Sequence, residues 1–151
     1  MDEDRVDRAA EDLRVLHRRA VERVLADAAT VSAAAAMPSF ALRMSDVGTV
    51  AEETGDAGET GERGADRLYA QLLVGAAEGR LRATAVVAGI VMRHEETGVD
   101  HEAVAVDLEH RDVDPVTIYV LLRREPGGDV AVDRTVPTPG RRVVFAGGPS
   151  L

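Results

Sequence analysis

The chain is expected to be an α+β domain, with a long amphipathic helix first and an antiparallel meander sheet last. Three observations predict this. Apolar residues recur at spacings of three and four through residues 2–30. From Leu81 onward the hydrophobic period changes to two. The runs of period two are joined by short, turn-rich segments, which make hairpins rather than parallel crossovers.

Residues 2–30 are predicted to form the first helix. Val6, Ala9, Ala10, Leu13, Leu16, Ala20, Val24 and Ala28 form one face. Opposite charges three or four apart line the other, among them Arg8 with Asp12 and Arg23 with Asp27. The run Ala33–Ala36 extends helical propensity, and Pro38 ends it. Phe40, Leu42 and Met44 alternate through residues 39–45, as a short strand or extended connector would. Residues 46–64 read as a flexible acidic loop, rich in Gly, Thr, Asp and Glu. Gly55, Gly58, Gly61 and Gly64 recur every third residue, but without proline the run cannot hold a collagen-type triple helix.

A second helix is predicted over 65–78, with Leu68, Leu72 and Ala76 inward and Gly79 at its end. Four strands should follow at 83–93, 103–110, 116–124 and 129–133, with a fifth at 142–146, so the sheet spans 83–146. Pairing Met92 with Val104, Ile90 with Val106 and Ala88 with Leu108 keeps one apolar face, and extending it pairs Val106 with Val120 and Val120 with Val132. That face requires a helix over it. The other face mixes Val87, Val91, Ala105, Tyr119 and Leu121 with Asp107, Glu109 and Arg123. It is too apolar to be fully wet and too charged to be core. A partner surface, a ligand cleft or the N-terminal helix lying over it would each explain it. Helix followed by meander is similar in outline to cystatin-like and hot-dog-like domains, a likeness of fold that carries no function.

At 151 residues the chain can bury a core as one domain, residues 1–151. Only 3% of residues are aromatic, so that core must be built from Ala, Val, Leu and Ile. The chain has no Cys, which excludes disulfides and thiolate zinc sites, and no Lys, which excludes amine nucleophiles. Its net charge is −9, the wrong sign for nucleic acid or an anionic membrane surface. The acidic N-terminus does not resemble a signal peptide, and the uncharged stretch 28–42 is too short to span a bilayer. A cytoplasmic location follows as the expectation.

No motif specifies a reaction. Neither a nucleophile elbow nor a phosphate-binding glycine loop is present. The triplet His110-Arg111-Asp112 matches the kinase catalytic loop, but a chain without Lys or Asp-Phe-Gly cannot be a kinase. Two constellations stand as candidates. Asp107, Glu109 and Tyr119 share the mixed face, with Asp107 expected across from Tyr119 and Glu109 from Thr117. Paired carboxylates in partly apolar surroundings can do acid–base work, although two acids on a strand are also what a wet face looks like. His94, His101 and Glu102 flank the first hairpin tip, where imidazole and carboxylate could hold a metal ion, although tip residues are ordinarily just solvated. His17 is expected at the boundary of the helical stripe. No cofactor is implied. The leading expectation is a non-enzymatic protein-binding or regulatory domain that self-associates as a homodimer. The alternative is a small enzyme or small-molecule-binding protein, with a pocket between helix and sheet using Asp107, Glu109 and Tyr119.

Overall fold

The computed structural model describes residues 3–55 and 59–145. The first helix, α1, runs Glu3–Ala28 and buries Ala9, Leu16, Ala20, Val24 and Ala28, the stripe its periodicity predicts. Beyond it the Thr30 hydroxyl donates to the Asp27 carbonyl at 2.7 Å, satisfying one of the carbonyls left open at the helix end. The alanine run does not extend α1. It forms a separate 3-10 turn, Ala34–Ala36, whose first amide donates to the Glu102 carboxylate at 2.7 Å.

Strand β1 is Phe40–Ser45, and β2 is Val50–Thr54. Helix α2 spans Gly61–Ala77, and the chain turns at Gly79 with φ +72°. Then come β3 (Leu81–Arg93), β4 (Asp100–His110), β5 (Val113–Arg124) and β6 (Val130–Pro139). All pairs are antiparallel, in the order β2-β1-β3-β4-β5-β6. The α+β class and the meander of the second half are as the sequence predicts. The sheet has six strands among the described residues rather than four or five.

Three expectations are overturned. The segment 46–64 is not one loop, because β2 and the first turn of α2 lie within it; positions 56–58 fall outside the described residues. Residues 142–145 form no strand, and position 146 lies outside the described residues. The register of β3 on β4 differs by three positions: Gly89 pairs with Val104, Val87 with Val106 and Ala85 with Leu108. An odd shift moves a whole row to the opposite face. Further on, Val106 pairs with Ile118, and Val120 with Thr135 rather than Val132. A register shift between Leu121 and Leu122 then returns Leu122 to Val132.

Two cores result, one on each face. Helix α1 packs on Phe40, Leu42, Met44, Ala83, Ala85, Val87 and the even-numbered apolar residues of β4 and β5. Helix α2 packs through Leu68 and Leu72 on Ala41, Val86 and Ala88 of the other face, joined by Val144 and Phe145. The side of the sheet that carries Asp107 and Glu109 is therefore covered in part by α2 and the chain after β6, whereas Val87, expected on that face, packs under α1. No helix among the described residues is long and apolar enough to cross a membrane.

Candidate functional site

Asp107 and Glu109 stand two apart on β4, so both point toward the layer formed by α2 and the segment after β6. Asp107 lies across from Thr117, and Tyr119 lies across from Ala105. The Asp107 carboxylate accepts the Thr117 hydroxyl at 2.7 Å and the Tyr69 phenol of α2 at 2.9 Å. Burial first, and then the Asp107 charge and hydrogen bond, hold the Tyr69 phenol far above its ordinary range.

Glu109 is only 1% exposed. Its Oε1 accepts the amides of Val143, Val144 and Phe145 at 2.7, 3.1 and 3.3 Å, and its Oε2 accepts Val144 at 2.9 Å. Three successive amides thus close around a buried anion, which answers the desolvation of the charge and clamps the segment to the sheet.

Between α2, the sheet and that segment lies a cleft of about 320 Å³, lined by Tyr69, Asp107, Thr117, Tyr119 and Arg141 among others. Asp107 and Tyr119 thus share one wall of a pocket between helix and sheet. Glu109 does not line it. A general base must offer a lone pair to substrate. Asp107 already serves two hydroxyls and Glu109 three amides. These contacts fix both carboxylates within the fold.

The hairpin candidates are not brought together. The His94 and His101 rings lie 6.2 Å apart, and His94 Nδ1 accepts the Thr97 amide at 3.3 Å. Glu102 points to the α1 face, because neighbours on a strand alternate. There its carboxylate takes Arg124 in a two-bond fork at 2.8 and 2.9 Å, besides the Ala34 amide. Among the described residues no three His, Asp or Glu side chains are grouped to hold a metal ion.

Sequence reasoning missed the network joining α1 to the start of β3 and the β4–β5 turn. His110 does lie off the Asp107 face, as the alternation predicts. Its Nδ1 accepts the Asp112 amide at 3.1 Å, so the ring proton sits on Nε2 and donates to Asp12 at 2.9 Å. Asp12 also accepts Arg82 at 2.9 Å, and Asp112 accepts Arg5. Burial alone would raise the Asp112 pKa, but the Arg5 hydrogen bond and charge, with His110 and Arg111, hold it below its ordinary value. A contact between positions 12 and 110 leaves no local signal in the sequence. On the same helix His17 is half-buried, and burial lowers its pKa.

No protein-family model matches the chain, and no curated protein or solved structure is significantly similar to it. Any functional reading therefore rests on the geometry.

Proposed function

We propose that this chain is a non-enzymatic binding or regulatory domain that acts as a homodimer. The observation that carries the non-enzymatic part is the engagement of Asp107, Glu109 and His110. Asp107 is held by Tyr69 and Thr117, Glu109 by three backbone amides, and His110 Nδ1 by the Asp112 amide. Glu109, with four accepted bonds, would need to lose a partner before reacting, and Asp107 is held in place by its two hydroxyls.

The self-association part is supported by the outer face of α2. Ala70, Leu73, Val74 and Ala77 recur there at spacings of three and four, and all are exposed. Leu73 and Val74 are 43% and 56% exposed, unusual for large aliphatic residues on an otherwise charged helix surface. Small residues beside larger ones let a second helix approach closely.

Light scattering of the purified chain, paired with native mass spectrometry, tests this reading. The expected mass is twice that of the chain, returning to a single chain when Leu73→Glu places a charge in the stripe. A wild-type monomer at micromolar concentration would overturn the dimer. The second reading, a small-molecule-binding protein, is favoured by the cleft that Asp107 and Tyr119 share. Its signature in the same spectrum would be a discrete extra mass that Tyr119→Phe diminishes.

A further inference from the structure

A second cleft, of about 380 Å³, lies on the α1 side of the sheet. Its walls bring guanidinium groups from three separate elements: Arg5 and Arg8 from α1, Arg82 from the start of β3, and Arg111 from the β4–β5 turn. Three carboxylates share the lining, those of Glu11, Asp12 and Asp112. Four cations against three anions leave a local surplus of one positive charge, His110 aside. The chain as a whole carries −9, so this is a local reversal of sign.

The acids are already committed. Asp12 takes Arg82 and His110, Asp112 takes Arg5, and Glu11 takes Arg14 at 2.9 Å. Donor capacity is left over. Arg8 makes no ion pair or hydrogen bond among the described residues. Arg111 reaches Asp112 only at 3.8 Å. The Arg82 Nε–H is buried and meets no acceptor, which costs free energy but leaves it out of reach of the cleft.

We propose that this cleft binds a phosphate dianion, either free or as the monoester head of a small molecule. A planar carboxylate is satisfied by one guanidinium fork. Donors converging from three elements instead suit an oxyanion with oxygens on several sides, and guanidinium groups match phosphate geometry well. The cleft falls in the size range of small-ligand sites, roughly 300–1,000 Å³, which leaves room for an organic body behind the head group. The site lies across the sheet from α2 and is independent of the dimer.

Titration of the 15N-labelled full chain, followed by amide NMR shifts, tests the proposal. The probes are inorganic phosphate and ribose 5-phosphate, with acetate at equal ionic strength as control. Amides of residues 8–12 and 111–112 should shift saturably with both phosphates, and acetate should bind far more weakly. Arg8→Gln keeps an exposed helix former in place, so folding is not at risk. Loss of one charge-assisted contact should weaken phosphate binding about tenfold. Arg111→Gln should act in the same direction, and Arg134→Gln on distant β6 should leave the affinity unchanged. Tighter binding of ribose 5-phosphate would identify the monoester as the ligand, and equal binding the free ion. Absence of a saturable shift, equal binding of acetate, or an equal loss in Arg134→Gln would each overturn the site.

Discussion

The two acids of β4 show how far a single residue can be read from its neighbours. Asp107 and Glu109 follow the alternation of a wet strand, yet Glu109 is almost wholly buried. Its partners are the backbone amides of Val143, Val144 and Phe145, and amides carry no residue signature. The sequence could therefore show that the two carboxylates share a face but not that each is already occupied. Tyr69 offers a test of this packing. Its phenol is held above the ordinary 10.0, by burial first and by Asp107 second. A group with a raised folded pKa keeps its full stabilising contribution below the unfolded value and loses it as pH rises toward the folded one. Denaturation midpoints should therefore fall above about pH 10, as the unfolded chain releases a proton that the native chain retains. Tyr69→Phe removes that proton and should flatten the fall, so equal alkaline slopes for the two proteins would contradict the account.

At the scale of elements, legibility followed the density of apolar signal. Helix α1 and strands β3 to β5 are long and strongly patterned, and they stand where the periodicity puts them, give or take their ends. Strand β2 was hidden because an edge strand needs little apolar surface. Glu52 and Glu53 read as loop residues, and acids on an edge also discourage pairing with other chains. The glycines before α2 read as a linker for a similar reason. At Gly64 a Cβ would come within 2.8 Å of the Ser39 hydroxyl, so the absent side chain is what lets the first turn of α2 sit on the start of β1. The β3–β4 register was ambiguous because both rows of β3 are apolar, so alternation could not choose between them. The row that faces α1 is the smaller one, Ala83, Ala85, Val87 and Gly89. Gly89 shows why. A Cβ there would lie 1.8 Å from the Ala34 carbonyl oxygen, backbone against backbone. Gly89→Ala should destabilise the chain by about 3 kcal/mol or more, since neither the strand nor the 3-10 turn can yield cheaply. A chemical denaturation midpoint within error of wild type would show that the turn does not rest on the sheet.

The whole molecule is organised by the sheet between its two helices. Strands β1 and β3 supply side chains to both cores in alternation: Phe40 and Leu42 toward α1 with Ala41 toward α2, then Ala85 and Val87 toward α1 with Val86 and Ala88 toward α2. A strand cannot leave one core and remain in the other, because the same backbone carries both rows. The cores should therefore melt together although they share no side chain. Leu16→Ala empties a fully buried position under α1, and Leu68→Ala does the same under α2. Each should cost roughly 2–5 kcal/mol. In both variants, helix-sensitive circular dichroism and hydrogen exchange of β4 amides should report one shared transition. If Leu68→Ala released α2 while α1 and the meander kept wild-type stability, the faces would be separate folding units and the alternation of β3 would not couple them.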